Sequence, residues 1–167
     1  IISFLNSTFK TKYSKNEKSF TFKSDNSKLG SSRIDYNGEL SINPFDLNLN
    51  INLNNYKISE LFSPNSIFKE FIKSKLIFNN NLSLDVFIIA ETNALGEIFN
   101  KAEIDFNVVN GKINLDNTKF VNNNIGSLKL NNSSLFIENN KLILNADFLF
   151  DVKNSDKLYS SLNTVKE

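Results

Sequence analysis

Carboxylates are the side chains of this sequence that could do acid–base chemistry. Five of them stand in segments where polar and apolar residues alternate: Asp85, Glu91, Asp105, Asp147 and Asp151. Two carboxylates held close together can act as a general acid and a general base. Asp147 and Asp151, four residues apart, share a strand face and leave a weak cation site open, but the spacing of a calcium loop is absent. We favour the simpler interpretation, that these carboxylates solubilise the wet faces of strands, and we predict no metal site.

The composition removes most other catalytic chemistry. The 167 residues include no His and no Cys. Without His, this chain cannot assemble a serine triad by itself, and the commonest metal ligand is missing. The five glycines form no phosphate-binding loop. We therefore expect no enzyme and no cofactor, because a catalytic role would need a partner chain to supply the missing groups.

Net charge and hydropathy limit the classes of binding partner that the sequence predicts. The chain has 19 Lys and Arg against 18 Asp and Glu, a net charge of +1, which gives no electrostatic reason to expect nucleic acid. No run reaches the roughly 20 apolar residues of a membrane-spanning helix. The sequence begins at Ile1 and contains no Met. We therefore expect residues 1–167 to be a single segment and a fragment of a longer protein.

A strict alternation of residue types defines the long strands. From Phe45 to Leu53 every odd position is large and apolar, and every even position is Asp or Asn. Side chains alternate across a strand, so this pattern predicts one apolar and one polar face. Similar alternation at 82–90, 102–108 and 142–152 predicts three more strands. Asn110-Gly111 is a strong hairpin signal, and short connections of this kind favour antiparallel neighbours.

The apolar spacing changes after Tyr56. Residues from Ile58 to Leu76 recur at three- and four-residue intervals, which predicts an amphipathic helix around 58–76. Ser63 and Pro64 are suited to begin its second part, and Glu70 and Lys73 form a favourable charge pair. A charged segment at 12–18 predicts a turn, and a short C-terminal helix follows the last strand. The predicted fold class is mainly β: a large curved antiparallel sheet forming an open β-groove, with these two helices.

The apolar strand faces allow two interpretations. They could pack into a core filled by the chain's own side chains, as in any β-sandwich. They could instead form a groove, left open or thinly covered, that holds hydrocarbon. Periodicity alone leaves both open, although a sheet with so little helix to cover it favours the groove.

Four runs carry a family resemblance: Gly38–Leu49, Asn110–Phe120, Ile125–Leu130 and Phe148–Tyr159. Together they resemble the C-terminal region of the AsmA-like family, the YhdP/TamB-type periplasmic lipid-transport proteins. The resemblance spans roughly residues 34–162. It is a pattern of strands and turns, with no catalytic signature to carry over.

The resemblance implies a function in lipid transport. A family member is anchored in the inner membrane of a Gram-negative bacterium and spans the periplasm, and its curved sheets carry phospholipid toward the outer membrane. This chain would be one segment of such a groove, with phospholipid acyl chains and neighbouring β-groove segments of the same parent chain as partners. The membrane would be reached through parts outside this chain. The lining is predicted to consist of apolar strand residues: Leu47, Leu49, Ile51, Leu53, Leu84, Val86, Ile88, Ile104, Phe106, Val108, Leu144, Phe148 and Phe150.

An alternative from a different class remains. The same strands would suit a structural or adhesive β-repeat domain with a closed core, filled by side chains and holding no lipid.

Overall fold

The strands of the described residues form one sheet of thirteen. The computed structural model describes residues 1–4, 6–63, 66, 72–73 and 75–162. The strands are β1 Ile2–Phe4, β2 Ser7–Phe9, β3 Thr11–Lys15, β4 Ser19–Ser24, β5 Ser27–Leu29, β6 Ser32–Ile42, β7 Phe45–Asn54, β8 Ser83–Glu91, β9 Lys101–Val109, β10 Lys112–Asn114, β11 Lys119–Asn122, β12 Gly126–Glu138 and β13 Lys141–Val152. Two helices, α1 Ile58–Leu61 and α2 Ser155–Ser161, and a 3₁₀ turn at Leu76–Phe78 complete the described elements. The prediction of a mainly-β fold is confirmed.

Strands that are neighbours in the sheet are consecutive or nearly consecutive in the sequence, and one neighbouring pair is parallel. From β1 the sheet runs through β2, β5, β6, β7, β8, β9, β10 and β12, and β13 closes the far side by pairing with β12. The pairings among the described strands are antiparallel, as predicted, with one exception: β7 and β8 pair in parallel over nine residue pairs. A parallel neighbour requires a crossover connection, and here residues 55–82 supply it.

Several sequence signals are confirmed and one is corrected. Asn110 and Gly111 take positive φ values of 52° and 70° and join β9 to β10 as a hairpin. The C-terminal helix is capped by Asn154, whose side chain accepts a hydrogen bond from the Lys157 backbone N–H at 2.9 Å. The predicted turn at 12–18 was wrong in its first half, because Thr11–Lys15 forms β3 against β4.

The predicted helix around 58–76 is described only in part. Residues 58–61 form α1, residues 72–73 are helical, and the 3₁₀ turn follows. Pro64 of the predicted cap and Glu70 of the predicted charge pair lie outside the described residues.

Two strand positions are interrupted, and a buried serine marks each interruption. β4 and β5 pair with successive parts of β6, while β10 and β11 pair with successive parts of β12. At the first break the Ser27 hydroxyl accepts from the Lys10 N–H (2.9 Å) and donates to the Lys10 carbonyl (3.0 Å). At the second, Ser133 lies in a bulge of β12 and its hydroxyl accepts from the Leu115 N–H at 3.0 Å. Backbone groups that the broken ladder would leave unpaired thus find side-chain partners.

The crossover packs on one face of the sheet, here called the apolar face. Register places Leu49, Val86 and Phe106 side by side on that face, with Ile51, Ile88 and Ile104 in the next row. Ile58, Leu61 and Ile77 of the crossover are buried against such rows in two clusters. The opposite, polar face presents the Asp and Asn residues of the same strands.

Candidate functional site

An apolar cavity of about 560 Å³ lies between the crossover and the sheet, and Ile58, Phe62 and Ile72 of the crossover line it. Its sheet side is made by residues of β9, β11, β12 and β13, and α1 and the connection before β9 close the other side. β9 contributes Ile104 and Phe106, and β13 contributes Leu144 and Phe148. The remaining strand and loop residues of the lining are mostly apolar as well: Leu115, Phe120, Leu128, Leu130, Leu135, Ile98 and Phe99.

Aromatic contacts hold the covered end of the cavity. The Phe120 ring lies 5.7 Å from the Phe62 ring in an edge-on arrangement and 5.6 Å from the Phe99 ring. Ser59 in α1 donates from its backbone N–H (3.0 Å) and its hydroxyl (2.6 Å) to the two carboxylate oxygens of Glu97. These contacts tie α1 to the connection before β9.

The few polar groups of the lining are already engaged. The Thr118 hydroxyl accepts from the Asp105 N–H and donates to the Asp105 carbonyl, both at 3.2 Å. The Glu97 carboxylate accepts from Ser59. Across the described part of the chain, no buried side-chain nitrogen or oxygen lacks a hydrogen-bond partner. The cavity is therefore suited to a hydrocarbon, which has no group that needs a hydrogen-bond partner.

The thirteen residues predicted to line a groove all lie on the apolar face, but they differ in solvent exposure. Six are buried: Leu53, Leu84, Ile88, Ile104, Phe106 and Val108. Leu47, Leu49, Ile51 and Val86 are half-buried. Leu144, Phe148 and Phe150 on β13 are 50%, 61% and 42% exposed. The crossover thus covers the middle of the face, and the open part lies toward β13.

Four of the thirteen, Ile104, Phe106, Leu144 and Phe148, line the cavity. Residues that the sequence interpretation did not include, such as Phe62, Phe99 and Phe120, line it too. Phe120 stands in a short strand whose alternation could have placed it on the same face. Phe62 belongs to the apolar spacing of the predicted helix, which does not show what part of the sheet that helix faces, and Phe99 lies in a connection without periodicity.

The five carboxylates considered for catalysis or metal binding lie apart from the cavity. Asp85 accepts a hydrogen bond from the Asn107 amide, Asp147 accepts one from Asn132 at 2.7 Å, and Glu91 lies 3.7 Å from the Lys101 ammonium. Among the residues the structure describes, no three acidic side chains are grouped so that they could hold a metal ion. These carboxylates line the polar face, as the solubilising interpretation predicts.

Comparisons with known proteins give no independent identification. Protein-family models, curated proteins and solved structures were compared with the chain, and none matches. Within the described ranges, no helix combines the length and the apolar character needed to cross a bilayer.

Proposed function

We propose that this chain is a lipid-carrying β-groove segment of an AsmA-like protein, and that acyl chains occupy the cavity beside β13. The parent protein would be tethered to the inner membrane of a Gram-negative bacterium and would carry phospholipid through the periplasm in support of outer-membrane biogenesis. The one observation that carries this proposal is the apolar cavity with its exposed rim at Leu144 and Phe148.

The size and chemistry of the cavity support a hydrocarbon guest. Its volume of about 560 Å³ falls within the roughly 300–1,000 Å³ typical of ligand sites. Each CH₂ moved from water into such surroundings contributes about 0.8 kcal/mol. Phe148 lines the cavity and is 61% exposed, so the cavity opens to solvent at this residue. A phospholipid could therefore bury part of an acyl chain while its head group stayed in water.

A photo-reactive amino acid at position 148 tests the proposal. We expect phospholipid adducts, detected by mass spectrometry after irradiation in cells, because Phe148 lies at the rim of the cavity. The matched control is position 149: Leu149 is adjacent, is 59% exposed, and points to the other face of the same strand. The proposal would be falsified if position 148 gave no lipid adduct, or no more than position 149.

One observation favours the closed structural domain as a second candidate. Leu53 and Ile88 are only 3% and 2% exposed, because the chain's own crossover covers them. In that case purified, monodisperse protein would contain no bound hydrocarbon by mass spectrometry. Co-purified phospholipid in stoichiometric amount would count against this second candidate.

A further inference from the structure

Strand β13 is an edge strand of the sheet, and its free edge can pair with a further strand. Among the described residues it is hydrogen-bonded to β12 alone, over eleven residue pairs. Phe148 and Leu149, which point to opposite faces, are 61% and 59% exposed. A long apolar edge of this kind presents unpaired backbone groups and is a ready template for strand addition. We propose that its partner is β13 of a second copy, paired antiparallel about a two-fold axis at Ala146.

The sequence of β13 is self-complementary about Ala146. Reversing the strand on itself at this residue brings the side chains from Lys141 to Asp151 opposite suitable partners on both faces. The pairs are Lys141 with Asp151, Leu142 with Phe150, Ile143 with Leu149, Leu144 with Phe148 and Asn145 with Asp147. Each pair occurs twice in the dimer. Opposite charges and paired apolar groups directly across two strands are stabilising.

Other registers lose this match. A shift of two residues in one direction places Asp147 opposite itself and Lys141 opposite Lys153. A shift of two in the other direction places Ile143 opposite Asp147 and leaves Lys141 facing Leu149. A shift of one residue sets apolar positions against polar ones. Charge and polarity therefore select a single register for a second copy.

The axis at Ala146 runs perpendicular to the sheet, so both copies turn their apolar faces to the same side. Leu144 and Phe148 of one copy, which line its cavity, then lie beside Phe148 and Leu144 of the other. The dimer would join two cavities along one continuous apolar surface. The pairing does not depend on the proposed lipid function, since it follows from β13 alone.

A cysteine at the axis tests the register directly. The chain has no native Cys, and A146C places two thiols opposite each other at the spacing of directly paired strand residues. We expect a disulfide-linked dimer under mild oxidation. L144C is the matched control on the same face, because position 144 and its own copy are four residues out of register, about 14 Å apart. Failure of A146C to cross-link, or equal cross-linking of L144C, would overturn the proposal.

Charge exchange tests the identity of the partner. Lys141 and Asp151 are both exposed, so K141D and D151K should fold normally. Each variant alone puts like charges opposite at two places, and we expect its dimer dissociation constant, measured by sedimentation, to rise at least about tenfold. An equimolar mixture of the two should form a heterodimer of wild-type strength, because every pair is then opposite in charge. A mixture no tighter than the single variants, or a wild type that stays monomeric at every concentration tested, would refute a second copy as the partner.

Discussion

The hydrogen bonds between Asp116 and Ser133 show how single residues hold the interrupted part of the sheet. The Ser133 N–H donates to Asp116 Oδ1 at 2.6 Å and its hydroxyl donates to the same oxygen at 2.8 Å. These donors, the backbone N–H foremost, hold the pKa of the Asp116 carboxyl below its ordinary value. The ionised carboxylate is therefore the favoured form in the folded state, where it accepts both hydrogen bonds from Ser133 in the bulge of β12.

This arrangement predicts how stability changes with acid. Because the folded pKa of Asp116 is depressed, its contribution is complete above the unfolded value near pH 4 and is lost as pH falls through the folded pKa. We expect D116N to be less stable than the wild type at neutral pH and to lose less stability on acidification. Urea unfolding at pH 7 and at several points below about pH 4 measures both effects. Parallel pH profiles for the two proteins would contradict this role.

Among the elements, the crossover between β7 and β8 decides which part of the apolar face is open. Ile58, Leu61 and Ile77 are 3–4% exposed and pack on the sheet. The crossover and the connection before β9 both line the cavity on the side away from the strands. The crossover is thus both the cover of the core and one wall of the candidate site.

Shortening one buried crossover side chain should weaken this cover. L61A leaves a cavity beneath α1, and we expect the free energy of unfolding to fall by about 2–5 kcal/mol. E60A, an adjacent exposed position in the same helical turn, should change it by no more than about 0.5 kcal/mol. Urea denaturation of both variants provides the comparison. Equal effects would mean that α1 does not pack as described.

The sequence predicted these elements well where alternation was strict. The expected strands at 45–53, 82–90, 102–108 and 142–152 lie within one residue of β7, β8, β9 and β13 at each end. β3 was missed, because its sequence Thr-Lys-Tyr-Ser-Lys offers one apolar side chain and its strand character comes from pairing with β4.

The parallel pair and the cavity could not be predicted. The alternation of apolar and polar residues is the same whichever way a strand runs. It therefore could not show that the 28-residue crossover brings β8 back parallel to β7. The shape of the cavity depends on side chains such as Phe62 and Phe99 in irregular segments. Their positions follow from tertiary packing, which periodicity does not encode.

For the whole molecule, we expect the proposed phospholipid to raise the free energy of unfolding, because it would bind the native state. A ligand that binds only the native state at 100 times its dissociation constant adds about 2.7 kcal/mol, which for a chain of this size raises the Tm by about 5–10 °C. We expect delipidated protein to show such a rise when phospholipid in detergent micelles is added.

A pair of variants makes this prediction specific. F148D places a charge at the rim of the cavity and should abolish the rise in Tm, because a charge in a hydrocarbon path is costly. L149D places the same charge on the other face of β13 and should leave the rise intact. Differential scanning calorimetry with and without lipid separates the two. A rise that survives F148D unchanged would argue against binding at this cavity.

The parallel seam between β7 and β8 has a consequence for synthesis on the ribosome. In the described sheet all pairings of the first seven strands are among themselves, except those that β7 makes with β8. The nascent chain can therefore complete the pairings among its first seven strands early. The second edge of β7 stays unpaired until residues 55–91 are translated, roughly 2–7 s at ordinary elongation rates. During that interval the Asn side chains at 48, 50 and 52 keep one side of the waiting strand hydrophilic. The edge of β7 nevertheless presents unpaired backbone N–H and C=O groups until β8 is made, which leaves it open to pairing with another nascent chain.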